Sequence, residues 1–179
     1  MRRFTSPILA LTLLPFVITA CGDDDGGGPN VSGNYQITSF TRVSGDGCTA
    51  TPEPVPDASH LFLKTGDFFG VATLEAYVCP AADGCGVGDD AFTEWTFLER
   101  TSTGWKTSAT ASSFGGSSCS LSLTEQTLVT TETGVRIESE NKYATFTDLS
   151  DAQCEPDAAK ARASQLVCGN REVLEATKL

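Results

Sequence analysis

The chain has 179 residues, 40% of them hydrophobic, with 12 Lys/Arg against 23 Asp/Glu, a formal charge of −11 and one histidine. A surface this acidic is repelled by nucleic-acid phosphates and by anionic lipid headgroups, which excludes both as electrostatic partners. A single histidine also leaves few ways to build a nucleophile–base pair or a zinc site.

Residues 1–20 begin with Arg2 and Arg3 and continue as an apolar run from Pro7 to Ala20, interrupted by Pro15. That run is shorter than the roughly 20 apolar residues a membrane-spanning helix needs. A charged start, a short apolar core and a small-residue end are the layout of an export signal. Ile18-Thr19-Ala20-Cys21 resembles the lipobox of bacterial lipoproteins. The resemblance implies cleavage after Ala20, with thioether lipidation and N-acylation of Cys21. Gly22, rather than aspartate, after the cysteine implies sorting to the outer membrane. Attachment to the membrane through several acyl chains on Cys21 is stable without basic residues.

The segment GDDDGGGPN (22–30) contains no aliphatic or aromatic residue, so it cannot bury enough surface to offset the entropy of ordering. It reads as a tether. Asp23, Asp24 and Asp25 are consecutive, without the alternating ligand spacing of a calcium loop. The chain therefore divides into a signal at 1–20, an anchor and acidic tether at 21–31, and one folded domain at 32–179. Removal of Arg2 and Arg3 with the signal takes the formal charge from −11 to −13.

Seven cysteines are an odd number. If Cys21 carries lipid, six remain: Cys48, Cys79, Cys85, Cys119, Cys154 and Cys168. An even set in an exported chain reads as three disulfides. Zinc is the rival reading, but there is no C-x-x-C pair. Cys79 and Cys85 bracket a short loop and close most easily. Cys154 and Cys168 flank a predicted helix whose ends lie about 16 Å apart, beyond the roughly 7 Å reach of a bridge. Cys48 and Cys119 then each take one of them, in either of two pairings.

From Ser32 the pattern is β. Gly33–Val43 alternates, and a loop rich in proline follows to Ser59. His60–Lys64 and Asp67–Cys79 read as a hairpin split at Thr65-Gly66. Ala91–Thr101 puts Trp95 and Phe97 on one face, and a turn at Gly104 leads into Trp105–Phe114. Cys119–Thr131 turns at Glu132-Thr133-Gly134 into Val135–Phe146. There Val135, Ile137 and Tyr143 face one side, and Arg136, Glu138, Glu140 and Lys142 the other. Pro156 suits a first helical position, and the period changes to helical up to Val167, with Gly169 as terminator. Ala159, Ala163 and Leu166 share one helical face. Arg171–Lys178 finishes as a strand.

About eight antiparallel strands joined by hairpins, with one C-terminal helix, predict an all-β, up-and-down barrel, with a β-sandwich as the alternative. Gly33-Asn34-Tyr35 and the late helix are similar to the Gly-x-Trp motif and packed helix of lipocalin-like barrels, with tyrosine in place of tryptophan. That resemblance implies a cavity for a small apolar ligand. Tyr35, Phe69, Trp95, Phe97, Trp105 and Tyr143 are its candidate lining, with Gly70, Ala72 and Ala76 leaving room beside them. The competing expectation is that these aromatics fill the core, since an eight-stranded barrel holds side chains or one small ligand.

Little here carries chemistry. His60 opens a strand beside Leu61 and Phe62, the setting of a locally bonded edge residue. Glu75, Glu94, Glu99 and Glu125 sit in alternating strands where solvated carboxylates are normal. Asp83, Asp89 and Asp90 form an acidic loop that reads as a solvated turn rather than a calcium site. The sequence therefore predicts no enzyme activity, no metal and no cofactor. It predicts a lipid-anchored envelope protein binding a small apolar ligand, or else docking another envelope protein with a filled barrel.

Overall fold

The predicted alternation becomes strand in the computed structural model, which describes residues 28–82, 85 and 93–179. One antiparallel sheet contains β1 (Gly33–Ser44), β2 (Glu53–Pro54), β3 (His60–Phe68), β4 (Val71–Cys79) and β5 (Thr93–Phe97). It continues with β6 (Glu99–Thr101), β7 (Gly104–Gly115), β8 (Ser118–Thr130), β9 (Gly134–Phe146) and β10 (Val167–Lys178). The hydrogen-bonded path runs β5-β4-β3-β1-β10-β9-β8-β7-β6, with β2 paired to β1 beside it.

First and last strands are neighbours on this path, and its two ends are consecutive in the chain. Only Leu98 separates β5 from β6. The segment thus pairs with β4 through its first half and with β7 through its second. Nine strands make a nearly closed barrel in up-and-down order. The expectation of about eight differs because one leg breaks at Leu98 as it changes partner. Register shifts at Ile37/Ser39 and at Cys168/Asn170 are the bulges that bend long strands toward closure.

Hydrophobic side chains from opposite walls meet inside. Trp105, Leu128, Ile137, Leu174 and Phe40 form one rung across five successive strands, and all are buried. Phe40 on β1 meets Trp95 on β5 edge to face, with centroids 5.9 Å apart. These strands are not neighbours in the sheet, so the contact spans the interior. Tyr35, Leu61, Leu63, Leu74, Val78 and Phe97 complete the same core.

A second core lies on the outer face of the same sheet. Cys119, Leu121 and Leu123 are buried at odd positions of β8, whereas Leu128 is buried at an even one. The odd set is covered by α1 (Pro156–Ala161) and its flanks through Ala159, Leu149 and Leu166, with Ala163 packed against them. Pro156 and Asp157 occupy the first turn of this helix, as their chemistry suits. The helix is shorter than predicted: it ends at Ala161, and Ala163–Gln165 is a 3-10 turn. Gly169 does not terminate it. It sits at the β10 bulge, where a Cβ would fall 2.3 Å from the Tyr143 ring.

Three disulfides staple the barrel: Cys79–Cys85, Cys48–Cys168 and Cys119–Cys154. The latter two are one of the two pairings the sequence left open. The β3–β4 hairpin turns at Phe69-Gly70 rather than at Thr65-Gly66, since β3 runs unbroken through Gly66. Gly66 serves close approach instead, because a Cβ there would lie 3.0 Å from Thr73 Oγ1.

Candidate functional site

The six aromatic residues predicted to line a cavity separate into two groups. Tyr35, Trp95, Phe97 and Trp105 are buried together in the barrel core. Tyr35 is held by its own hydroxyl, which donates to the Val31 carbonyl at 2.6 Å, and burial raises its pKa. Phe69 instead sits in the β3–β4 turn with 92% of its surface exposed. Tyr143 is on the same face as Ile137 but 52% exposed. There β7, β8 and β9 extend past the core, and Tyr143 with Ala111, Ser113, Ser120 and Ser122 lines a shallow hollow of about 200 Å³. Ala76 is buried, Ala72 is exposed and Gly70 lies in the turn.

The mouth of the barrel where β1 begins has a different character. Arg100 pairs directly with Trp105 across β6 and β7, so both side chains point inward. The break at Leu98 causes this. Trp95 and Phe97 face the interior at odd positions, and after the break an even position does. The Arg100 guanidinium lies 5.8 Å from the Trp105 ring centroid. Its Nη2 donates to the Gly28 carbonyl. The Arg100 Nε and Trp105 Nε1 are buried and have no hydrogen-bond partner among the described residues. No carboxylate pairs with Arg100 among the described residues.

A cavity of about 500 Å³ opens beside these groups, lined by Pro29, Asn30, Ser32, Thr65, Thr73 and Ala72 as well as Arg100 and Trp105. The incoming chain crosses the mouth here, held by Val31 in the core and by the Ser32 hydroxyl at 3.5 Å from Thr65 Oγ1. On the far side of that chain Lys178 Nζ stands 6.0 Å from the Tyr35 ring, beside a second hollow of about 290 Å³. A buried donor without a partner costs about 1–3 kcal/mol, and more when charged. The arrangement is suited to accept a hydrogen-bond acceptor or an anion.

Other candidate residues are dispersed. His60 Nδ1 lies 2.7 Å from Ser59 Oγ, and that hydroxyl donates to the Pro80 carbonyl. Glu75 accepts from Tyr77 at 2.7 Å, Glu99 pairs with Lys106 at 2.9 Å, and Glu125 pairs with Lys142 at 3.0 Å. Cys21, Asp83, Asp89 and Asp90, and the side chain of Glu94, lie outside the described residues. Among the described residues no group of three or more His, Cys, Asp or Glu side chains is placed to hold a metal, and no helix is long and apolar enough to cross a membrane. Sequence reasoning missed Arg100, which reads as an outward charge in an alternating strand. Counting back from Trp105 across the tight Thr101–Gly104 turn would have placed it opposite that ring. Compared with protein-family models, curated proteins and solved structures, the chain matches none of them.

Proposed function

We propose that the protein is a non-enzymatic lipoprotein of the cell envelope, anchored in the outer membrane through acylated Cys21, that binds a small molecule at the barrel mouth. The observation that carries this is that Arg100 and Trp105, whose Nε and Nε1 are buried without a partner among the described residues, line a cavity of about 500 Å³. The packed core argues against the barrel interior as the site, and the mixed lining calls for a ligand with an acceptor or anionic group rather than a wholly apolar one. Export fits the three disulfides, which form in oxidising compartments. A second reading, docking of another envelope protein by a filled barrel, draws on the packed interior and on the exposed aromatics of the β3–β4 turn.

Native mass spectrometry of the oxidised mature chain, purified from a bacterial envelope, tests the proposal. The expected result is a discrete small-molecule adduct that is lost on denaturation and on Arg100→Gln substitution. An unliganded mass after exposure to envelope extract, for a chain that retains its three disulfides, would overturn the binding assignment.

A further inference from the structure

The geometry points to the β3–β4 hairpin tip as a second membrane contact, in which Phe68 and Phe69 enter the bilayer that holds the acyl chains of Cys21. This rests on the lipoprotein reading above.

β1 begins at Gly33, which pairs with Leu63. β3 continues through Phe68, so the hairpin extends past the start of β1 by about 17 Å at roughly 3.3 Å per residue. The chain leading back to Cys21 leaves from the same end, alongside the hairpin at Ser32 and Thr65. Seven residue steps separate Gly28 from Cys21, a reach of at most about 25 Å. A bilayer anchored there is confined close to the tip.

The tip is apolar and costly as built. Phe68, Phe69 and Val71 are 63%, 92% and 51% exposed, and the two rings meet edge to face at 4.7 Å. Phe69 has φ +52 and Gly70 φ +84, with the Gly70 amide donating to Asp67 Oδ1 at 2.8 Å. Two positive φ values are the two-residue hairpin turn that Asn-Gly or Asp-Gly makes at little cost. A phenylalanine in the left-handed region is strained by its Cβ, and at 92% exposure its burial within the barrel returns almost nothing. Strain at an exposed aromatic points to something outside the fold that takes up the ring. Aromatic side chains favour the membrane interface, and with a formal charge of −11 the contact is apolar rather than electrostatic.

The test uses the full mature chain carrying Phe69→Trp, reconstituted in phosphatidylethanolamine–phosphatidylcholine vesicles with and without acyl-chain-brominated lipid. Trp95 and Trp105 are buried in the barrel, and the unsubstituted protein supplies their background. The expected result is an added emission that is blue-shifted and quenched by the brominated lipid, while the background is unchanged. Acylated Cys21 by mass spectrometry, together with water-exposed indole emission that the bromine does not quench, overturns the membrane contact alone. A blue shift without bromine quenching places the tip against protein and overturns it as well. An unmodified Cys21 removes the lipoprotein reading, and the membrane contact with it.

Discussion

The three disulfides close loops of very different length, which gives a ranked expectation. Cys48–Cys168 spans 120 residues, Cys119–Cys154 spans 35 and Cys79–Cys85 spans 6. The chain-entropy relation assigns them about 4.9, 3.8 and 2.2 kcal/mol. Cys48 and Cys168 are partly exposed, so their replacement by alanine removes little besides the crosslink. Cys79 and Cys85 are buried, and their replacement adds about 1 kcal/mol of lost packing. The Cys48→Ala/Cys168→Ala chain should therefore be less stable than the Cys79→Ala/Cys85→Ala chain by about 1.7 kcal/mol. Urea unfolding of both double variants without reductant, analysed by linear extrapolation, measures that difference. The Gly45 amide still bonds to the Gly169 carbonyl at 2.8 Å, so the native strands can stay joined after the sulfur link is gone. Equal losses, or a larger loss at Cys79–Cys85, would refute loop closure as the source of the stabilisation.

Phe97 is fully buried where the barrel changes partner, and Phe97→Ala should cost about 3–5 kcal/mol in thermal or urea unfolding. Gly134→Ala would set a Cβ 1.9 Å from the Ala176 carbonyl and should cost about 1–3 kcal/mol. Gly115→Ala, with nothing within 4 Å, should stay within about 0.5 kcal/mol. The hydrogen bond from Arg136 holds the Glu138 carboxyl below its usual range against opposing desolvation, and Arg171 adds to the lowering. A lowered folded pKa adds stability above the unfolded value of about 4.3, and that stability is lost as pH falls through the folded pKa. Because Glu138 is solvent-screened, the contribution is about 0.5 kcal/mol. Glu138→Gln should flatten the acid limb of the stability curve below about pH 4.3 by that amount.

Strands with clean alternation and polar turns were legible almost to the residue. β8 and β9 start and stop within one position of the limits read from Cys119–Thr131 and Val135–Phe146. The β3–β4 turn was not, because phenylalanine is a strand former and Thr65-Gly66 competes as a turn with Phe69-Gly70. Tyr143 was assigned to the correct face, but face is all that alternation reveals. Where the opposite wall of the barrel ends depends on the lengths of β3 and β4, which stop short of the level of Tyr143. Arg100 was illegible for a related reason. A one-residue break at Leu98 reverses which positions face inward, and nothing in AFTEWTFLERT marks that break.

The long strands serve two cores, and this sets where a function can sit. In β8 the odd residues Cys119, Leu121 and Leu123 meet the helix layer, and the even residue Leu128 meets the barrel. Between them Thr124-Glu125-Gln126-Thr127 is polar on both faces, and the β8–β9 register passes through without a bulge. The end served by the helix also holds Cys119–Cys154 and Cys48–Cys168, and Cys79 closes β4 at the end away from its tip. Cys119–Cys154 and Cys48–Cys168 therefore lie away from the mouth where β1 begins, whereas Cys79 is level with Gln36, three residues into β1. That mouth holds Arg100 and Lys178 without ion-pair partners among the described residues, the unpartnered Trp105 donor and the exposed phenylalanines. The far end and the base of β4 are crosslinked, while the groups at the mouth carry no crosslink of their own. For that reason the ligand experiment and the membrane experiment both address the mouth, and the disulfide variants serve as the control for the scaffold that presents it.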